Sequence, residues 1–523
     1  MDRRRYLAAA GAAGIASLAG CPLLPPDEDP EEPEETEEPE EPPEEPTPAD
    51  DDPPDLEERF ENIVDLVEAG ADPTGEERID GILVGEANDD TLLRLPEGEY
   101  LLGNAQFEGY NNLGIVGDDA RLIIDEQGRN MFFSFRDVSN IYVEGITADC
   151  TSENTAAWFD VRVSGGENVV RDYVAEGFGD VTSRTNGFTV EVAGEDTSLL
   201  IDRADLSDGA LNGAATFVFG REFTTTDLEP GTLTFRDCVM KGWGKEGLYA
   251  SEHSGPLNVI GGEYANNAIV QVRVGGGDAS EEAVVRGVTV RIDEIPDYMP
   301  EYNRVLRGIW LKEGERATVE DCDIEIFDVD GGGVQGGIVV NGQFGQATIR
   351  STEIRTEHDS PAVYVRWPVS EFDQNDMPSM TDLPEEWQVT LEDVAIDADS
   401  AVDAILLKNR DGSVLRDVTV EQRGDANGIR AQYTDDVEIT GGDIVAGRYP
   451  IALESLHQEQ SPNIYLDDIQ RIESTGIDGD LLEDGINNPY VVSTDLVSGA
   501  GVGVTGLNDG RLYGKSVDRD GFD

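Results

Sequence analysis

One short phrase returns twelve times along this chain: apolar, any, apolar, any, then a turn residue that is usually Asp or Gly, then apolar again. It reads Tyr142-Val143-Glu144-Gly145-Ile146 and Val170-Arg171-Asp172-Tyr173-Val174. Later copies include Leu233-Thr234-Phe235-Arg236-Asp237-Cys238, Val319-Glu320-Asp321-Cys322 and Leu391-Glu392-Asp393-Val394. The turn residue falls at 145, 172, 203, 237, 261, 287, 321, 351, 393, 417, 441 and 468, most steps being 24 to 34 residues. Alternation with period two marks strands, and repetition at this interval marks a solenoid. A single coil cannot bury its apolar face, so neighbouring coils must stack. The sequence therefore predicts an all-β parallel coil of about 12 rungs.

Composition bounds the rest. The 110 acidic against 37 basic residues give a formal charge of -73, and only five residues are Lys. Residues 22–55 hold 17 of the acids, so most of the excess belongs to the body. Carboxylate spread over a whole folded domain suits a protein kept soluble in concentrated salt, where self-repulsion is screened within about 3 Å. An ordinary acidic secreted protein is the alternative. Either way the charge opposes nucleic-acid binding, and no such partner is expected.

The N-terminus reads as targeting. Arg3-Arg4-Arg5-Tyr6-Leu7 precedes a short apolar run from Ala8 to Ala19, a twin-arginine export pattern. Leu18-Ala19-Gly20-Cys21 resembles a lipobox, making 1–21 a signal peptide and Cys21 the lipidation site. Residues 22–55 are almost wholly Pro, Glu and Asp. Such a segment buries nothing and extends as a tether, on the order of 100 Å long in polyproline geometry. The expected location is extracellular, on the outer face of the cytoplasmic membrane, held by the lipid alone. Cys150, Cys238 and Cys322 remain; the last two lie three rungs apart, roughly 14 Å at strand spacing, too far for a disulfide. Buried thiols are expected.

Residues 56–116 are expected to hold an N-terminal cap and first strands. Phe60, Ile63, Val64 and Val67 stand at helical spacing within 57–69, which predicts a capping helix. Gly70-Ala71-Asp72-Pro73-Thr74-Gly75 and Leu95-Pro96-Glu97-Gly98-Glu99-Tyr100 follow. With these motifs the chain resembles the pectate lyase and polygalacturonase superfamily of right-handed parallel β-helices, over residues 64 to about 475. The resemblance implies a single-stranded right-handed parallel β-helix over 117–475, and 476–523 then reads as the C-terminal cap and tail.

Each rung has a further strand whose outward residues follow from alternation. They are Asp160/Arg162, Thr189/Glu191, Tyr249/Ser251, Gln271/Arg273, Trp310/Lys312, Val339/Asn341, Tyr364/Arg366, Leu406/Lys408, Arg430/Gln432 and Ala452/Glu454. Arg273, Lys312, Arg366, Lys408 and Arg430 thus line one face with Tyr249, Trp310 and Tyr364. Aromatic faces stack on sugars, while Arg and Lys pair with carboxylate or sulfate. An anionic polysaccharide or cell-surface glycan is the expected partner; solvent-facing cover is the alternative. The longest irregular stretches are 221–232, 292–307 and 367–388, and the last either walls this groove or covers a flank.

Chemistry on a uronate polymer needs a base of lowered pKa and cations beside the developing charge. Lys312, Arg273 and Arg366 are the candidate catalytic residues, and Tyr249, Trp310, Tyr364, Lys408 and Arg430 the candidate binding residues. Related lyases, the resemblance implies, use Arg or Lys on this face, often with calcium; Glu252 and Glu313 are candidates to hold it or plain surface acids, so metal use stays open. The chain has no Asn-Thr-Asp, Gly-His-Gly or Arg-Ile-Lys motif of the polygalacturonases. Hydrolysis would fall to Asp160 and Glu191. His253 is either a member of the site or a turn histidine. A polysaccharide lyase or epimerase-like enzyme and a non-catalytic glycan-binding surface protein both fit.

Overall fold

In a computed structural model the described residues are 55–125, 132–183, 185–220, 229–276, 282–454, 463–467 and 471–475, with short strands at Tyr490–Val492, Val502–Val504 and Arg511–Tyr513. The expected signal peptide with Cys21, the expected tether, position 468, residues 221–228 and most of 476–523, expected as a C-terminal cap, lie outside them.

The chain winds as a parallel β-helix with three strands per rung, each pairing in parallel with its counterparts on the rungs before and after. In the first ladder Glu167–Arg171 pairs with Ser198–Asp202, which pairs with Thr232–Arg236 and then Leu257–Ile260. The second runs through Val239–Lys241, Glu263–Ala265 and Thr289–Ile292. The third runs through Phe188–Val192, Thr216–Val218, Leu248–Ala250 and Val272–Gly276. Parallel crossovers of L-residues favour the right-handed sense.

The repeated turn residue has one physical task. At 145, 172, 203, 237, 261, 287, 321, 351, 393, 417 and 441 the backbone φ lies between 46° and 69°, the left-handed region. Asp and Gly reach it more readily than other residues, because Gly has no Cβ and Asp can bond its own backbone. This residue bends the first ladder into the second. Its amide then donates to the next rung, as from Asp172 to Asp202 O at 3.0 Å and from Asp417 to Thr440 O at 2.7 Å. The repeat is a column of stacked bends.

Inward residues form one continuous core along the stack. Its early part is aromatic, with Phe107 and Phe135 stacked at 4.8 Å and Phe159 packed on Phe188 at 5.4 Å. Later rungs fill the same space with Val, Ile and Leu. Cys150, Cys238 and Cys322 are buried, their sulfurs lying against backbone carbonyls such as Glu176 O and Ile201 O.

The predicted capping helix is misplaced. Only Leu56–Arg59 is helical; Asn62–Asp65 is a strand paired with Thr91–Leu95. Asp65 Oδ1 accepts from the amides of Val67 and Glu68, a side-chain turn that competes with helix continuation. Phe60 packs on Leu92 and Tyr142, and the strand covers what would be an open ladder edge. The capping helix is Asp80–Gly85, which buries Leu83. Between them, both Asp72 oxygens accept backbone amides, of Thr74, Glu76 and Glu77, which explains the Gly-Ala-Asp-Pro-Thr-Gly turn.

Candidate functional site on the third ladder

The third ladder aligns Asp160, Thr189, Phe217, Tyr249, Arg273, Trp310, Val339, Tyr364, Leu406, Arg430 and Ala452 in one outward file. Arg273 therefore stands level with Tyr249 and Trp310, not with Lys312 as strict alternation implied. Gln271 is not in the file: it is buried in the preceding turn, its amide closed on Asn267 at 2.8 and 2.9 Å. Phe217 was missed because its strand, Thr216–Val218, is too short to display a period.

The file is not uniform. Its early part is closed by ion pairs. Asp160 is fully buried and accepts from Arg136 and Arg162 at 3.0 Å each, while Arg162 reaches Glu191 at 3.8 Å. That clamps the two acids proposed for hydrolysis into a structural network. The middle of the file is aromatic and cationic. The Arg273 guanidinium lies 3.8 Å from the Tyr249 ring centre and 5.0 Å from that of Trp310; Arg307 covers Trp310 at 4.1 Å. Glu246 approaches Arg273 at 3.8 Å and Ser251 accepts from it at 2.8 Å.

Lys312 occupies a bulge. The register runs Val274 with Leu311 and then Gly275 with Glu313, so Lys312 has no counterpart on that rung. Glycines make the bulge fit: a Cβ on Gly314 would stand 2.0 Å from Gly276 O, and Gly314 has φ 138°. The bulge sets Glu313 level with Gly275, beside Lys312, Arg273 and Glu252. Glu313 is fully buried, and neither oxygen completes a hydrogen bond. Burial above all, with nearby Glu252, raises its pKa to about 7, against the opposing charges of Lys312 and Arg273. Lys312 is shifted downward, also chiefly by burial; Arg273 adds to this and Glu313 opposes it. The expected direction holds, but desolvation outweighs the neighbouring cations. Its ammonium donates to Asp376 O at 2.7 Å, which places the 367–388 segment over the file as a wall, with Met377 and Met380 buried beneath it.

Further along, Arg366 donates to Asn341 Oδ1 at 3.0 Å and to Gln335 Oε1, and lies 5.4 Å from the Tyr364 ring centre. Lys408 donates to the Tyr364 hydroxyl at 3.2 Å. Arg430 is paired with Asp403. Tyr249, Arg273 and Trp310 thus form one cluster, Tyr364, Arg366 and Lys408 a second, and Lys312 lies between them in sequence.

The other two ladders set the contrast. There Arg236 and Arg171 meet Asp202, Arg286 and Arg350 meet Glu320, Arg291 meets Glu325, and Arg416 meets Glu392. Those arginines are answered by carboxylates of neighbouring rungs. Along the third ladder Arg273 and Arg430 also meet carboxylates, of Glu246 and Asp403, but Lys312, Arg366 and Lys408 give hydrogen bonds to carbonyl, amide and phenol oxygens.

Glu313 and Glu252 are not surface acids, since both are buried. They do not suit calcium either: they share their space with Lys312 and Arg273, and no group of three or more acidic, His or Cys side chains among the described residues is placed to hold a metal. Glu313 carried a sequence signal, an acid at a position alternation points inward. Glu246, Arg307 and Gln335 carried none, because they come from turns. His253 is a buried turn residue, Nε2 3.0 Å from Gly231 O, and burial lowers its pKa to about 4.

No protein-family model and no curated protein matches the sequence. Solved structures do. The chain is similar to the catalytic unit of a GH87 α-1,3-glucanase from Streptomyces thermodiastaticus, with 12% identity, 86% of this chain and 67% of that one covered and a TM-score of 0.37. It is similar to the A-module of a mannuronan C-5 epimerase from Azotobacter vinelandii, with 13% identity, 78% and 95% covered and a TM-score of 0.36. It is also similar to PfbA, a surface adhesin of Streptococcus pneumoniae, with 9% identity, 88% and 96% covered and a TM-score of 0.36. The parallel β-helix itself rests on the ladder pairings of this chain.

Proposed function

We propose that this is an exported protein, lipid-anchored through Cys21, that binds an anionic polysaccharide along the third ladder and removes a proton from it. One observation carries this reading: Lys312, Arg366 and Lys408 donate to neutral oxygens, whereas arginines of the other two ladders such as Arg236 and Arg286 meet carboxylates of adjacent rungs. Cations kept in that way remain available to an external carboxylate. Tyr249, Trp310 and Tyr364 offer faces for the sugar rings, and rungs about 4.8 Å apart suit a chain laid along the stack.

In the catalytic form Arg273, the cation beside Lys312, neutralises the carboxylate of the reacting uronate, and Arg366 meets that of a neighbouring sugar. Lys312, whose pKa is lowered chiefly by burial, takes the proton from the adjacent carbon. The electron pair left on that carbon forms a double bond to the next ring carbon as that carbon's bond to the glycosidic oxygen breaks, the departing oxygen taking a proton from Lys312 or water, giving a lyase; return of a proton from water to the opposite face gives an epimerase. A second reading rests on the Lys312 bond to Asp376 O. With its ammonium engaged under the 367–388 segment, Lys312 is a positioning residue and the protein binds glycan without altering it.

The test incubates the protein in high salt with uronic and sulfated polysaccharides and follows the ultraviolet absorbance of unsaturated ends, with C-5 inversion read by NMR. The first reading expects a signal that Lys312→Ala reduces at least ~100-fold while binding persists. Binding with no reaction on any polymer would select the second reading, and absence of binding would overturn both.

A further inference from the structure

The large exposed apolar side chains among the described residues are few: Ile63, Phe178, Tyr302, Val305 and Trp367. Of these Trp367 follows the cationic file directly, one residue after Arg366, and keeps 41% of its surface exposed. It is not isolated. Its ring packs on Tyr433 at 5.2 Å between centres, inclined by 54°. Tyr433 lies two rungs further on, since Val365 pairs with Leu407 and Leu407 with Ala431. The two rings span the intervening rung, where Asn409 sits.

The second observation is conformational. Tyr433 has φ 56°, the left-handed region, which a bulky aromatic residue adopts at a cost of about 1 to 2 kcal/mol. Asn409 on the rung before has φ 49°, and its amide donates to Gln432 O at 2.8 Å. At Asn409 the left-handed bend is ordinary, because Asn tolerates it. At Tyr433 Gly or Asn would serve the fold better, so the ring is retained against the local backbone preference. What it gains is its place beside Trp367.

We propose that Trp367 and Tyr433 form an aromatic platform that stacks one sugar ring of the anionic polymer, adjoining the Arg366 and Lys408 end of the file. The inference rests on the anionic-polysaccharide reading and extends it: the bound chain continues past the cation cluster onto a face that recognises the pyranose itself. Charge complementarity names the occupant. Lys408 pairs across the ladder with Gln432, the residue before Tyr433, so a sugar seated on the rings has a cation within the next rung for its carboxylate.

Binding of uronate oligosaccharides of increasing length, together with neutral oligosaccharides of matched length, would be measured by calorimetry and tryptophan fluorescence. Trp367→Ala should weaken long uronate oligomers about tenfold, the scale of one lost stacking contact, and leave the shortest binding oligomers unchanged. Trp367→Phe should keep the affinity but remove part of the ligand-induced fluorescence change. Tyr433→Gly keeps the backbone bend, so it should be at least as stable as the parent and still lose affinity for long oligomers. Equal affinity of Trp367→Ala and the parent at every length would overturn the platform and leave the anionic reading standing. Preference for neutral oligomers, lost in Trp367→Ala, would keep the platform and overturn the anionic reading. No binding by the parent would overturn both.

Discussion

Two buried titratable residues give the protein opposing responses to pH. His253 has a pKa of about 4 in the folded chain against an ordinary value of 6.5, so folding excludes its proton. Its contribution is complete above about pH 6.5 and is lost as pH falls through 4, roughly 3 kcal/mol when fully titrated. Glu313 works in reverse. With its pKa raised from 4.5 to about 7, the folded state retains a proton, and that stabilisation is complete below about 4.5 and lost as pH rises through 7. Urea midpoints measured from pH 4 to 8 should therefore fall at both ends. His253→Gln is expected to flatten the acid limb alone and Glu313→Gln the neutral limb alone; unchanged limbs in both variants would remove this account. The bend residues make a second prediction. Asp393, with φ 53°, should tolerate Gly within about 0.5 kcal/mol, whereas Val there should cost at least ~1 kcal/mol. Thermal unfolding of the pair tests it.

At the scale of an element, one buried arginine ties the two ends of the 367–388 segment to the preceding rung. Arg410 is fully buried, and its guanidinium donates to five backbone carbonyls, those of Asn341, Phe344, Gly345, Arg366 and Trp387. It has no carboxylate among these partners, and burial lowers its pKa to about 9. Arg410→Met would leave those oxygens without a donor and is expected to cost about 3 kcal/mol or more. Hydrogen exchange should then quicken across 367–388 before it does in the ladders; uniform protection would show that the arginine does not hold the segment. The same region shows how far the sequence was legible. Bend positions were readable because one conformation demands a narrow set of residues at a fixed interval. The outward file was readable wherever strands kept strict alternation. It failed at Gln271, where the strand starts later, and at Lys312, where a bulge supported by Gly275, Gly276 and Gly314 breaks the count. The first helix failed because Asp65, a local side-chain competitor, outweighed apolar spacing.

For the whole molecule, charge sets the working conditions. The chain carries -73, with 110 acidic against 37 basic residues. Cross-rung pairs such as Arg416 with Glu392 at 3.1 Å neutralise only part of it. Screening of the remainder should raise the melting temperature as salt rises from about 0.1 M towards several molar, where the Debye length falls from roughly 10 Å to under 3 Å. An ordinary acidic secreted protein would instead plateau below about 0.5 M. Polymer binding should respond oppositely, weakening with salt as the cationic file is screened but levelling at a floor set by ring stacking. A titration of both quantities in the same buffers separates the two effects.

The stacked bends also bear on how the chain carries load. Its hydrogen bonds run from rung to rung, along the long axis, so a pull from the two ends stretches them one at a time and never shears a whole ladder at once. Gripped at its two ends, such a stack would peel coil by coil, each coil yielding the length of its contour while the coils behind it stay wound. Such a body lengthens under tension and dissipates it stepwise.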